Sequence, residues 1–222
     1  RRLSVFAGGW TLDAAESVCA GPSAEATDDR ASIEEADVLT LMAQLLDKSL
    51  VQVDDRSTQP AGSTEVRYRL LQTVHQYAAA RLAARDEAER AGEQHASSFL
   101  AFAETAQPMF TGPDQALWLN RIDLDGDNLR AAFRWFTLHG EIASEARLCY
   151  ALLRFWYYHG HLFEGNRLLD NLIPRIDDPA VPPLVQARIL QGAGVLAWNQ
   201  GDLERSTRLS RRALAIFEQL GD

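Results

Sequence analysis

The chain has 222 residues, 46% of them hydrophobic and 24% charged, and a formal net charge of −9. That length can bury a sizeable core in one large or two small domains, and the composition excludes a disordered tract. The acid excess excludes a surface given over to phosphate contacts, two cysteines exclude a disulfide framework, and no apolar run approaches the roughly 20 residues of a membrane span.

Cys19 and Cys149 are therefore expected as small buried apolar side chains in a reducing cytoplasm. Lys48 is the sole lysine among many arginines and alanines, the usage of a GC-rich bacterial genome. The opening Arg1-Arg-Leu-Ser-Val-Phe6 has neither the long apolar segment nor the cleavage site of a signal peptide and runs straight into folded structure. It has no initiator methionine, so the expectation is a piece of a longer protein.

Thr11 or Asp13 can cap a short helix through Ala14, Ala15, Val18 and Cys19, and a polar loop is expected from Gly21 to Ser32. Val38, Leu39, Leu41, Met42, Leu45 and Leu46 recur at helical spacing and define a second helix that ends near Asp47-Lys48-Ser49. Residues 50–54 and 66–70 alternate as strands do and can pair as a hairpin across a turn-rich stretch from Arg56 to Thr64. A helix follows with Leu71, Val74, Tyr77, Ala78, Leu82 and Ala83 on one face. Helix, helix, hairpin, helix is the order of a winged-helix module whose first helix is missing or reduced to a stub at Leu3–Phe6.

Everything beyond Glu87 reads as helix: 88–107, a break at Gly112-Pro113, then the segment of Trp118, Leu119 and Ile122. Helices are expected at 128–138, 142–158 and 162–176, and after an Asp/Pro-rich linker at 184–199 and 202–220. A cadence recurs here. Arg154-Phe-Trp-Tyr-Tyr-His-Gly160-His-Leu-Phe-Glu-Gly165 and Leu196-Ala-Trp-Asn-Gln-Gly201-Asp-Leu-Glu-Arg-Ser206 each end a bulky helix at a glycine, then open another with a leucine. A small residue, Gly165 or Ser206, follows where two helices must touch. The two turn glycines lie 41 residues apart, the length of one helix pair, which signals stacked helical hairpins. The fold expected is mainly α: a winged-helix remnant with a small β-hairpin, then an α-solenoid of tetratricopeptide-like hairpins. The boundaries read as 1–86, a helical connector at 87–125, and repeats at 126–222.

Arg2-Leu-Ser-Val-Phe-Ala-Gly-Gly-Trp-Thr-Leu-Asp-Ala-Ala-Glu16, Leu45-Leu-Asp-Lys-Ser-Leu-Val51 and Tyr68-Arg-Leu-Leu-Gln-Thr-Val-His-Gln-Tyr-Ala78 together resemble the winged-helix portion of bacterial signal-transduction ATPase regulators of the NB-ARC/AfsR/LuxR-associated kind. Gly112-Pro-Asp-Gln-Ala-Leu-Trp118 through Asp127-Asn-Leu-Arg-Ala-Ala132 is similar to the start of the tetratricopeptide-like region that follows in those proteins. The resemblance implies an ATPase domain before this segment, which alone would hold ATP or ADP. No Gly-x-x-x-x-Gly-Lys-Ser/Thr loop occurs in the chain, so no cofactor is expected in this segment. Where related proteins carry a nucleotide-sensing Met-His-Asp triplet, this chain has Leu70-Leu71-Gln72.

No enzyme is expected. The histidines at 75, 95, 139, 159 and 161 form no metal pattern, and His159 and His161, flanking Gly160 in a turn, are expected to diverge. Asp123, Asp125 and Asp127 alternate as in a calcium loop, but position 134 carries Arg134 where a bidentate glutamate is needed, and a helix start capped near Asp127 accounts for them. The candidate DNA-reading helix, Asp37 to Ser49, has Lys48 as its sole base and Thr40, Gln44 and Asp47 facing out. Nucleic acid is therefore not expected to bind through this segment, and a DNA-binding regulator acting through the winged helix is the alternative reading.

The main reading is a regulatory and scaffolding segment of a cytoplasmic signal-transduction ATPase that acts as a transcriptional regulator, whose repeats hold a protein, peptide or small effector and whose winged helix meets its own ATPase domain. The partner-binding residues expected on the inner face of the repeats are Arg147, Tyr150, Arg154, Tyr157, Tyr158, Arg188, Gln191, Trp198 and Asn199, with Val195 beside them. The apolar positions Leu209, Leu214, Ile216 and Phe217 suggest further repeats or self-association through an open end.

Overall fold

The computed structural model describes residues 1–21, 32–54 and 65–221, so the loop expected at 21–32 and the connection at 56–64 fall almost wholly outside the described residues. The chain divides into two compact units, residues 1–99 with 123–135, and residues 100–122 with 136–222.

The first unit opens with a 3-10 turn at Arg2–Val5, then β1 (Trp10–Thr11), α1 (Leu12–Cys19), α2 (Glu35–Asp47), β2 (Val51–Val53), β3 (Arg67–Leu70) and α3 (Gln72–Ala83). Thr11 is the cap: its Oγ accepts from Ala14 N–H at 3.2 Å, satisfying one of the orphan donors of the first turn. β2 and β3 pair antiparallel with Val51 opposite Leu70, and β1 lines the other edge of β3 with Trp10 opposite Tyr68. The strand order is β1-β3-β2. That topology is a winged helix whose first helix is the turn at 2–5. β1 escaped sequence reasoning because two residues are too few to show alternation.

Phe6 anchors the core of this unit. Its ring stacks on Trp10 at 5.1 Å and meets Phe99 and His95 edge-on, and Phe6 and Trp10 are each 1% exposed. Burying aromatic rings this fully contributes about 2–3 kcal/mol apiece. A buried polar network lies alongside. Arg67 on β3 donates to both carboxylate oxygens of Asp125 at 2.9 and 2.8 Å, and to the Gly9 carbonyl at 2.9 Å. Burial alone would lower the pKa of the Arg67 guanidinium, but the hydrogen bonds and charge of Asp125 outweigh it and hold it above the usual arginine value.

Asn128 completes the network, donating to Asp125 and Gly9 and accepting from the Ala7 N–H. Its oxygen also lies 3.3 Å from His95 Nε2. That oxygen can accept from a proton carried on Nε2. The helix start expected near Asp127 is there. α6 (Gly126–His139) starts one residue before Asp127, which makes an exposed pair with Arg130 at 2.8 Å. Asp125 is the carboxylate with a structural task.

α4 (Ala88–Ala106) and α6 contribute residues to both units. The second unit continues through a 3-10 turn at Gln107–Phe110, α5 (Gln115–Leu124), α7 (Ile142–Tyr158), α8 (Leu162–Leu172), α9 (Pro183–Asn199) and α10 (Leu203–Leu220). α8 stops at Leu172 and tightens into a 3-10 turn at Ile173–Arg175, because Pro174 lacks the donor an α-helix needs. α7 packs on α8 and on α9, and α9 on α10, so α7 to α10 form two helical hairpins laid side by side within the second unit.

The recurrent glycines do what the cadence implied. Gly160 and Gly201 adopt φ of +82° and +83°, the left-handed conformation that ends a helix and that a side chain would strain. Gly165 is the contact point of the first hairpin: a Cβ there would lie 2.7 Å from the Trp156 ring. In the second hairpin Gly194 meets the Ser206–Ser210 stretch: its added Cβ would lie 2.8 Å from Ser210 Oγ and 3.4 Å from the Ser206 carbonyl oxygen. Arg175 adds a two-pronged bond to the buried carboxylate of Glu145, both oxygens at 3.0 Å. Cys19 and Cys149 are free and buried, and burial pushes the Cys19 thiol up to about 11. No helix among the described residues is long and apolar enough to cross a membrane.

Candidate functional site

α7 and α9 place their outward residues along a shared groove of about 460 Å³ in the second unit. On α7 the positions 150, 153, 154, 157 and 158 recur at helical spacing, and on α9 so do 188, 191, 192, 195 and 196. The groove is lined by Tyr150, Arg154, Tyr157 and Tyr158 from α7, and by Arg188, Gln191 and Val195 from α9. Six of the nine residues expected from sequence thus come together. Tyr157 meets Tyr158 edge-to-face with centroids 5.2 Å apart, and the Arg188 guanidinium lies 5.0 Å from the centroid of Phe217 on α10.

Three expected residues stand elsewhere. Arg147 is engaged by Glu104, with Nε and Nη2 donating at 2.8 and 2.7 Å, and those bonds hold its pKa above the usual value. Trp198 is 62% exposed and does not line the groove, so it neither forms the wall nor packs between helices. Asn199 turns back along its own helix and donates to the Val195 carbonyl at 3.0 Å. Both lie at the helix end, past the point where α7 and α9 face each other.

Sequence reasoning missed the floor. Leu153, Gly192 and Leu196 close the groove from below, and a Cβ at Gly192 would lie 2.4 Å from Leu153 Cδ1. The absent side chain at 192 is what lets α7 and α9 approach there. A glycine inside an apolar helical stretch was the available signal. Gln107 and Pro108, from the turn after α4, also line the groove, and nothing in the repeat register points to them.

The turn beside the groove needs a further correction. His159 and His161 converge rather than diverge: their rings stack at 5.8 Å with planes 4° apart, and both stack on Phe155. The left-handed Gly160 between them reverses the chain and lets both rings reach Phe155.

In the first unit, α2 covers most of the segment considered above as a candidate DNA-reading helix. Val38 and Met42 are buried, while Leu39 and Leu41 are 55% and 40% exposed and Glu35 and Asp37 fill the first turn. Thr40, Gln44 and Asp47 face out as expected. The exposed positions of α2 itself are apolar, neutral or acidic up to Lys48 at its end, whereas a helix anchored on phosphates carries several cations. A hollow of about 560 Å³ beside α2 is lined by apolar side chains and by Arg1, Arg2, Lys48 and Arg85; Glu87, the one carboxylate among its described lining residues, is held by Arg1 at 2.7 Å.

The chain is 32% identical over 228 aligned residues to proteins named "Putative HTH-type transcriptional regulator" in Mycobacterium bovis and in two strains of Mycobacterium tuberculosis. The alignment takes in the whole of this chain and 24% of each relative, so the chain spans about a quarter of the length of the curated relatives it matches. No protein-family model matches it, and no solved structure matches it significantly.

Proposed function

We propose that this chain is a non-catalytic regulatory segment of a signal-transduction ATPase that works as a transcriptional regulator. Its helical hairpins, of tetratricopeptide kind, hold a protein or peptide effector in the α7–α9 groove, and its winged-helix unit meets an ATPase domain elsewhere in the protein. Nucleotide belongs to that domain and not to this segment. The observation that carries the reading is the groove itself: three tyrosines and two arginines around an apolar floor, the composition of binding hot spots. The names of the mycobacterial relatives support the regulatory setting.

Phage display of random dodecapeptides on the chain tests it. Enriched peptides are expected to bind in fluorescence anisotropy and to lose at least about ten-fold in affinity, roughly 1.4 kcal/mol, when Arg154→Glu and Tyr157→Ala are combined. The helical circular dichroism of the variant should be unchanged. Failure to enrich any peptide, or equal binding by the double variant, overturns the reading.

The winged-helix topology also supports a second reading, DNA contact through α2. Gel shifts with random duplex DNA decide it: a shift that weakens with salt and vanishes on Lys48→Glu would move function to α2.

A further inference from the structure

We infer that the α7–α9 groove selects acidic peptide segments in extended form, with Arg154 receiving a carboxylate and the Leu153–Gly192 floor taking an apolar side chain beside it. This deepens the effector-binding reading above and rests on it.

Charge is the first ground. The groove lining holds two guanidiniums and, among the described residues, no carboxylate, on a chain whose net charge is −9. Four arginines of the second unit are neutralised internally, Arg147 by Glu104, Arg175 by Glu145, Arg205 by Asp170 and Arg212 by Asp177, whereas Arg167, Arg208 and Arg211 are exposed outside the groove. Arg154 is exposed and has no hydrogen-bond or ion-pair partner among the described residues. A planar guanidinium fork beside phenol rings matches a carboxylate with two parallel bonds, which a lysine could not do.

The neutral groups settle the form of the ligand. Gln107 and Gln191, from different elements, each offer an amide donor and acceptor. A helical ligand has its backbone groups satisfied internally, whereas an extended segment presents free N–H and C=O groups for those amides to bond. The floor of Leu153, Gly192 and Leu196 is apolar and accepts a side chain without a polar partner. At about 460 Å³ the groove has room for a few residues of a segment and none for a folded surface.

The test uses the intact chain and a fluorescein-labelled twelve-residue Gly/Ser peptide carrying two Glu-Leu-Glu triplets, with matched Gln-Leu-Gln and Lys-Leu-Lys peptides. The glutamate peptide is expected to bind at least about ten-fold tighter than the glutamine one, and the lysine peptide more weakly still. Arg154→Gln should erase the preference, while Arg167→Gln on the exposed side of α8 keeps it.

Equal affinity for the Glu and Gln peptides overturns the acidic selection yet leaves peptide binding by the groove standing. Absence of binding by all three peptides overturns both. A preference that survives Arg154→Gln places the charge recognition elsewhere and overturns the role of Arg154. Full displacement by about 10 mM free glutarate would mean a small diacid is the ligand, which overturns the peptide assignment.

Discussion

Replacing Asp125 with alanine isolates the buried pair with Arg67, and its cost can be worked out from the surroundings. The two side chains are 6% and 9% exposed, and Asp125 also accepts from Asn128 Nδ2 at 3.0 Å. Without the carboxylate, the Arg67 guanidinium keeps the carbonyl oxygens of Gly9 at 2.9 Å and Leu124 at 3.3 Å, and only the weaker charge interactions with Glu65 and Asp54. Leaving one member of such a pair buried alone costs about 3–5 kcal/mol, a large share of the roughly 5–15 kcal/mol that holds a domain folded. The same helix supplies the control. Asp127 pairs with Arg130 at the same 2.8 Å, but the two side chains are 65% and 47% exposed, so Asp127→Ala should cost under about 0.5 kcal/mol. Urea denaturation followed by circular dichroism measures both. The double variant Arg67→Met with Asp125→Leu should recover most of the loss, because no charge is then left buried. Should Asp125→Ala fall within about 1 kcal/mol of Asp127→Ala, the network does not carry the weight assigned to it.

Gly165→Ala should destabilise the first hairpin by about 1–3 kcal/mol, since the new methyl would meet the rigid Trp156 ring at 2.7–2.9 Å. A thermal midpoint equal to that of the parent chain would show that the ring yields freely. Burial holds the His95 pKa down to about 4 from an ordinary 6.5, so the folded state favours the neutral ring. Its contribution is complete above about pH 6.5 and is lost as pH falls toward 4, by at most about 3 kcal/mol. His95→Gln, which still can donate to Asn128, should flatten that part of the stability profile, and parallel profiles for the two proteins would contradict the assignment.

Local chemistry made the helices legible. Apolar residues at helical spacing, the Thr11 cap and the glycine stops located most boundaries to within one or two residues, and Pro174 explains the early end of α8. Features that join distant residues were not legible. Arg67 and Asp125 are 58 positions apart, and nothing in either neighbourhood marks them as partners. The groove was readable where it follows helix periodicity, at Tyr150, Arg154, Tyr157 and Tyr158, and at Arg188 and Gln191. It was not readable where a side chain found a nearer partner, as Arg147 did in Glu104, or where a helix ended, as at Trp198. Stacking of His159 on His161 depends on the backbone reversal at Gly160, which residue spacing alone does not convey.

Gly160 and Gly201 share a left-handed φ, so both hairpins turn by the same kind of glycine stop. A chain whose hairpins close with the same hinge angle can gain or lose one whole unit while its neighbours keep their own packing, since each pair touches only the next. Related sequences are then expected to differ in length by steps of roughly 41 residues inserted at such hinges. Each added step would lengthen the wall on which a guest is read, giving evolution a dial for how much of that guest is inspected.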